Sequence, residues 1–114
     1  MIVLTVNTGS TSVKLAAFAV AGPAGEAETA PRRVATQNLA GPGPDPAATL
    51  RAFLLQLAEP PIAVAHRVVH GGTRFTRPTQ IDDSVRASIA ALSELAPLHN
   101  PLALRWIDAA RAAC

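Results

Sequence analysis

The sequence predicts a small α/β domain with the element order β-β-β-α-β-α-α. Two observations support this fold class. The first forty residues carry short apolar runs separated by clusters of turn-forming residues, which is typical of antiparallel strands. The later chain has three segments with apolar residues at helical spacing, each preceded by an Asp or Asn that can cap a helix. At 114 residues the chain is long enough for one modest core.

The first two strands are predicted at residues 2–6 (IVLTV) and 13–20 (VKLAAFAV). The turn-forming segment NTGSTS separates them, so they should pair as a β-hairpin. A third strand is predicted at RRVATQNL, between two segments rich in Gly and Pro. Those segments predict loops near residues 21–31 and 39–46.

The first helix is predicted after Asp45, which can act as its N-cap, with Pro46 in the first turn. Its inward face should carry Leu50, Phe53, Leu54 and Leu57, and Glu59, Pro60 and Pro61 should stop it. The following run, IAVAHRVVHGG, has no helical period and is rich in β-branched residues, which predicts a buried strand.

Two helices should complete the chain. Asp82 or Asp83 can cap the first of them, which Pro97 should end. Its inward residues are predicted to be Val85, Ile89, Leu92 and Ala96. The last helix should begin with Asn100 as its cap and Pro101 in its first turn, and should point Leu102, Trp106 and Ala109 or Ala110 inward.

Composition excludes several function classes. The net charge is +2, and the arginines are scattered without interleaved aromatic residues, which argues against a nucleic-acid partner. No apolar run approaches the roughly 18 residues of a membrane span. The single cysteine, Cys114, permits neither an internal disulfide nor a cysteine-based metal site. We therefore expect a soluble protein of the cytoplasm.

The hairpin segment NTGSTSVK is the first candidate for chemistry. It is not a P-loop, because the spacing GxxxxGK[ST] is absent and a second strand follows the turn. A positive φ at Gly9 would let backbone N–H groups converge on a phosphate, Ser10 and Ser12 would add donors, and Lys14 would supply charge. Asn7 could hold a metal-bound water. The alternative is an ordinary hairpin whose hydroxyl groups satisfy their own backbone.

The second candidate is HRVVHGG, residues 66–72. With a period of two, Arg67 and Val69 share one face, and His66 and His70 share the other. Arg67 could bind a carboxylate or a phosphate, while Val69 contacts a short alkyl group on that anion. The alternatives are a structural ion pair for Arg67 and histidines that bond to the backbone in a core or an interface.

The third candidate is His99 in APLHNP, a linker between two predicted helices. Pro97 and Pro101 would present its ring from a rigid position at a helix N-terminus, where developing negative charge is stabilised. The alternative is a surface linker histidine without a role in chemistry.

Together the three segments resemble the N-terminal part of acetate kinases, the acetokinase family. NTGSTSVK resembles the family's N-x-G-S-S-S-x-K, HRVVHGG followed by Phe75 resembles its second signature, and LAPLHNP resembles its third. The three occur in the family's order. Thr8 and Thr11 depart from the usual Ala and Ser, although both are small enough for the turn.

The resemblance implies the fold shared by acetate and sugar kinases, Hsp70 and actin (the ASKHA, ribonuclease H-like fold), which binds a nucleotide between two domains. It implies Mg²⁺-dependent phosphoryl transfer between ATP and acetate, giving acetyl phosphate and ADP. Such transfer depends on positioning and on neutralising charge, which suits Arg, Lys and His donors.

The resemblance also implies a role for each matching residue. Asn7 would bind magnesium, and Arg67 would bind the carboxylate of acetate or acetyl phosphate. His99 would stabilise the transferring phosphoryl group. The remaining roles are nucleotide-phosphate contacts for Ser10, Ser12 and Lys14, and a methyl pocket lined by Val69 and Leu98.

Acetate kinases are longer, two-domain chains, so the resemblance identifies residues 1–114 as a partial N-terminal domain. The family's catalytic Asp, adenosine site and C-terminal domain have no counterpart here, and we expect the isolated chain to be inactive. The full-length family forms homodimers. Two other functions remain open: a non-catalytic anion-binding or interaction module derived from the kinase, and a propionate or butyrate kinase.

Overall fold

The computed structural model describes residues 1–9, 11–21, 30–40, 45–68, 72, 75–97 and 99–114. Its strands are β1 (Ile2–Thr8), β2 (Ser12–Ala19), β3 (Arg32–Ala40) and β4 (Pro61–Arg67). Its helices are α1 (Pro46–Leu54), α2 (Asp83–Ala91) and α3 (Asn100–Ala113), with a short 3₁₀ turn at Leu92–Glu94. The predicted fold class and element order are confirmed.

The four strands form one sheet in the order β3-β2-β1-β4. The predicted hairpin is present, since β1 pairs antiparallel with β2, and β3 continues the antiparallel pairing on its far side. On the other side β4 runs parallel to β1. Because β1 and β4 are parallel, their carboxyl ends lie at the same end of the sheet, beside the hairpin turn that follows β1.

The core lies on one face of this sheet. Leu4, Val6, Leu15 and Trp106 are at most 1% exposed, and they pack with apolar residues of α1. Trp106, Ala109 and Ala110 of α3 are buried in this cluster as predicted, with Leu102 packed at its edge. Three further apolar residues of α3 are also buried, namely Ala103, Leu104 and Ile107. We call this side the helix face and the opposite side the open face.

Helix α1 begins as predicted but ends early. Asp45 Oδ1 accepts a hydrogen bond from the backbone N–H of Ala47 at 3.1 Å, and Pro46 follows the cap. The helix stops at Leu54, where Gln56 and Leu57 donate to carbonyls three residues back instead of four. Leu57 still packs on the core, but from this tighter turn and not from the helix. The third strand also runs to Ala40, which shortens the loop predicted near 39–46.

The prediction of a buried strand in IAVAHRVVHGG is wrong in burial and in extent. Strand β4 ends at Arg67, and Ile62, Ala63, Ala65 and Arg67 are exposed. Among the described residues, only β1 pairs with it and only its helix face is covered.

The last two helices also differ in detail. Asp82 caps α2, accepting from the N–H of Val85 at 2.8 Å, but the helix gives way to the 3₁₀ turn at Leu92, ahead of Pro97. His99, not Asn100, is the N-cap of α3, because the His99 carbonyl accepts the first helical bond, from Ala103. Asn100 is the first helical residue and is fully buried. No helix of the described part of the chain is long and apolar enough to cross a membrane.

Candidate functional site

The open face carries a row of polar side chains at the end of the sheet where β1 and β4 finish. Asn7 of β1 lies directly opposite Lys14 of β2 and directly opposite Arg67 of β4. Cross-strand partners point to the same face of a sheet. Lys14, Asn7 and Arg67 are therefore three neighbours on the uncovered side, and we call them the cationic row.

The spacing of the row follows from sheet geometry. Adjacent strands lie about 4.8 Å apart, so the backbones of Lys14 and Arg67 are about 10 Å apart, with Asn7 between them. Lys14 and Arg67 are exposed, and Asn7 is half-buried. The row therefore presents two cations and an amide to solvent across three strands.

Arg67 and Asn7 are in contact. Arg67 Nη1 donates to Asn7 Oδ1 at 3.5 Å, the long limit of a hydrogen bond. Among the described residues Arg67 contacts this neutral amide and not a carboxylate, so the structure does not show the structural ion pair that was its alternative role. A weak bond to a neutral group leaves the guanidinium charge available for an anion.

The hairpin turn lies next to the row. Ser12 shares the open face with Lys14, one step nearer the turn. The N–H of Gly9 donates to the Ser12 carbonyl at 2.8 Å. Gly9 does not adopt the positive φ expected of it. A Cβ there would lie 3.3 Å from the Ser12 oxygen, so close approach of the two strands is what favours glycine.

One member of this polar group was missed by the sequence analysis. Asn38 of β3 lies opposite Lys14, so the register extends the row to all four strands. The alternation in RRVATQNLA, with Thr36 and Asn38 on one face, was the available signal. Finding it required the pairing of β3 with β2, which the sequence did not specify.

His66 lies on the other side of β4 from Arg67, as the period of two predicts. It is half-buried on the helix face, and its Nδ1 has no hydrogen-bond partner among the described residues. Burial lowers its pKa from 6.5 to about 4, so the ring is neutral at pH 7. His66 therefore faces the helix layer, which favours the core alternative, and its Nδ1 makes no backbone bond within the described residues.

His99 is the half-buried N-cap residue of α3 in the helix layer. Leu104 of α3 belongs to the same apolar cluster as Val68, and the last turns of α3 line a trough together with residues 61–66 of β4. These contacts pack α3 beside β4. Three predicted site residues, Ser10, Val69 and Leu98, lie outside the described residues.

The described part of the chain contains no group of three or more His, Cys, Asp or Glu side chains that could hold a metal ion. Mg²⁺, however, often keeps several waters and takes only one or two protein ligands beside phosphate oxygens. The amide oxygen of Asn7 is a hard oxygen donor of the required kind. The row therefore fits a metal that arrives with a phosphate ligand, and it does not form a closed protein cage.

Comparison with known proteins gives consistent results. The acetokinase family profile matches residues 47–114. Acetate kinase 2 of Vibrio cholerae is 36% identical over an alignment of 131 residues, covering 97% of this chain and 33% of that protein. The chain thus spans about a third of the length of this relative.

Two solved structures share the fold. The acetate kinase of Entamoeba histolytica matches with a TM-score of 0.73 at 24% identity, over 99% of this chain and 32% of that one. A propionate kinase of Francisella tularensis matches with a TM-score of 0.68 at 26% identity, over 97% of this chain and 33% of that one. Fold, sequence and motif order agree, and the chain belongs to the acetokinase family.

Proposed function

We propose that this chain forms the phosphate- and substrate-facing part of an acetate kinase, which transfers a phosphoryl group between ATP and acetate to give acetyl phosphate and ADP. The observation that carries the proposal is the cationic row, in which register brings Lys14, Asn7 and Arg67 together on the uncovered face. The chain contributes one wall of the site, as the N-terminal part of a two-domain enzyme.

The row suits this reaction because phosphoryl transfer depends on orienting two anions and on neutralising their charge. Lys14, with Ser12 beside it, faces the nucleotide phosphates, and the family motif assigns the same role to Ser10. Arg67 holds the carboxylate of acetate, or acetyl phosphate in the reverse direction, through its planar donor fork. The separation of about 10 Å lets the two cations bind different parts of the reacting pair.

The contact between Arg67 and Asn7 keeps the guanidinium near its working position before substrate arrives. The 3.5 Å bond engages one guanidinium nitrogen, and Arg67 is otherwise exposed. A carboxylate offers two charged acceptors and makes shorter, stronger bonds than a neutral amide. Substrate binding therefore replaces a weak contact with a stronger one and frees the Asn7 oxygen.

That oxygen is the group that would hold Mg²⁺, directly or through a bound water. The ion supplies neutralisation of the phosphate oxygens when it is bound with the nucleotide. Asn7 is half-buried between two cationic residues, so the metal site forms only together with the anions that offset their charge.

His99 acts from the neighbouring helix layer. As the N-cap residue of α3 it lies at a helix N-terminus, where negative charge is stabilised. We assign it the electrostatic stabilisation of the phosphoryl group in transfer. Val69 and Leu98 line the methyl pocket in this proposal, an assignment that rests on the family motifs.

The experiment is a chimaera in which this chain replaces the matching N-terminal third of the Vibrio cholerae relative. We expect it to form acetyl phosphate from ATP and acetate in the presence of Mg²⁺, trapped as the hydroxamate. Arg67→Ala should weaken acetate binding more than ATP binding, and Lys14→Ala should mainly weaken ATP binding. Arg51→Ala, an exposed arginine of α1 outside the site, is the matched control and should change neither. Equal effects of the two site variants on both substrates would contradict the residue roles.

The isolated chain gives the second half of the test. We expect it to bind acetyl phosphate weakly, in calorimetric titration, and to show no turnover above background. If the chimaera folds but is inactive while the chain still binds phosphate and pyrophosphate, the non-catalytic anion-binding module is the better description.

Propionate kinase is the second candidate for the intact enzyme, and the structural match to the Francisella tularensis protein favours testing it. Relative turnover of acetate, propionate and butyrate by the chimaera measures the choice. A preference for acetate supports the proposal, and a preference for a longer acid identifies a kinase of that acid.

A further inference from the structure

Asn38 belongs to the polar group beside the cationic row, and the proposed function gives it no role. It lies on β3 directly opposite Lys14 of β2, so the Cβ atoms of the two residues are about 5 Å apart. Its neighbour Leu39 packs on the core, which turns Asn38 to the open face, where its side chain is exposed. The Asn38 amide therefore lies within reach of the Lys14 ammonium.

The sheet supplies Lys14 with no opposite charge. The four strands that the structure describes contain one lysine and three arginines, but no Asp or Glu. The ion pairs of the described residues join the N-terminus to Glu59 and helix α2 to helix α3, and none of them involves Lys14. The partners that the register gives Lys14 are instead two neutral amides, Asn7 and Asn38.

The two amides are not equivalent. Asn7 Oδ1 accepts from Arg67 Nη1, and in the proposed function it is also the oxygen for the metal. The side chain of Asn38 makes no hydrogen bond within the described part of the chain. Its amide oxygen is thus available to a neighbouring donor, and an ammonium carries three donors.

We infer that Asn38 is a positioning residue for Lys14. Its amide oxygen accepts a hydrogen bond from the ammonium and holds the flexible lysine side chain in place, while its neutrality leaves the lysine charge for an anion. A carboxylate at this position would instead pair with Lys14 and compete with the anion. The inference rests on the proposed function, which gives the nucleotide phosphates to Lys14.

Binding of pyrophosphate to the chain, followed by phosphorus NMR, tests the inference. Asn38→Asp should weaken binding about tenfold, because the new carboxylate neutralises Lys14 and repels the anion. Asn38→Ala should weaken it about twofold to threefold, because the lysine loses its orienting acceptor. Gln56→Glu makes the same amide-to-carboxylate change at an exposed position after α1 and, as the matched control, should leave binding unchanged. Equal effects of Asn38→Asp and Gln56→Glu would overturn the inference, as would a chain that does not bind pyrophosphate.

A double-mutant cycle separates positioning of Lys14 from a general structural role. In a Lys14→Ala chain, Asn38→Ala should have no further effect on pyrophosphate binding, because Asn38 acts through Lys14. Equal weakening in the presence and in the absence of Lys14 would overturn the inference. Circular dichroism of each variant checks that the fold is retained.

The chimaera distinguishes failure of this inference from failure of the proposed function. In it, Asn38→Asp should raise the KM for ATP about tenfold and leave the KM for acetate unchanged, because the carboxylate is assigned to Arg67. An active chimaera in which both KM values rise equally would overturn the inference and leave the proposed function standing. An inactive chimaera, combined with the expected double-mutant cycle, supports the role of Asn38 and contradicts only the proposed function.

Discussion

The two faces of the sheet use the same strands for different purposes. Leu15 is fully buried against the helices, and its neighbour Lys14 is exposed on the open face. On β4, His66 faces the core and Arg67 faces solvent. Because adjacent residues of a strand point to opposite faces, one set of positions can determine folding while the alternate set remains available for chemistry. Substitutions on the open face should therefore report on function without destabilising the fold.

The largest effect we expect comes from the pair Leu15 and Lys14. Leu15→Ala should lower the free energy of unfolding by about 2–5 kcal/mol, because it opens a cavity in the core. Lys14→Ala should change it by less than about 0.5 kcal/mol, because the side chain lies in solvent. Urea unfolding of the two variants measures both. A comparable loss for Lys14→Ala would show that the open face is packed against another part of the protein.

The second prediction concerns the pair His66 and Arg67. Burial lowers the pKa of His66 to about 4, so the unfolded chain binds the proton more readily than the folded one. The contribution of the neutral His66 ring to the free energy of unfolding is therefore fully present above about pH 6.5, and it is lost as the pH drops toward 4. The loss can reach about 3 kcal/mol at the acid end of this window.

The measurement is the free energy of unfolding between pH 4 and pH 7 for three proteins. We expect His66→Gln to flatten the dependence in this window. Arg67→Ala, on the open face, should preserve the slope of the unmutated chain. A slope that survives in His66→Gln would mean that another group controls acid sensitivity.

The fold could be predicted from the sequence because the signals that specify its strands and helices are local. Alternating apolar residues around NTGSTS specify the hairpin, and Asp45 and Asp82 mark the helix starts through hydrogen bonds to nearby N–H groups. Prediction failed where an outcome depended on distant neighbours or on backbone geometry that apolar spacing does not record. Burial of IAVAHRVVHGG depends on what pairs with each edge of the strand, and the true end of α1 depends on a local tightening that apolar spacing does not record.

The candidate site was predictable by residue but not by arrangement. The motifs singled out Asn7, Lys14 and Arg67. A period of two placed Arg67 and His66 on opposite faces of the same strand. Only the register shows that Asn7 lies between the two cations, and only the pairing of β3 reveals Asn38 beside them. Register depends on cross-strand packing, which a single sequence specifies weakly.

A smaller effect should come from Asp82, the N-cap of α2. This helix belongs to the helix layer and carries none of the candidate site residues. Asp82→Ala removes the acceptor for the N–H of Val85 and should cost about 1 kcal/mol of stability. Asp82→Asn keeps an acceptor and should cost much less. Thermal unfolding of the two variants gives the difference, while binding of acetyl phosphate should be the same in both.

The smallest effect should come from the surface ion pair that joins α2 to α3. Arg86 Nε and Nη2 donate to the two carboxylate oxygens of Asp108, each at 2.7 Å, and these bonds hold the pKa of Asp108 below its usual value. The ion pair therefore stabilises the fold at pH values above the usual carboxyl pKa. This stabilisation is lost as the pH falls through the lowered pKa of Asp108. Both side chains are more than a third exposed, so water and salt weaken the attraction. Asp108→Asn should lower the melting temperature slightly at low salt and hardly at all at high salt. A large loss that is independent of salt would show that the two-point geometry, and not the charge, holds α2 against α3.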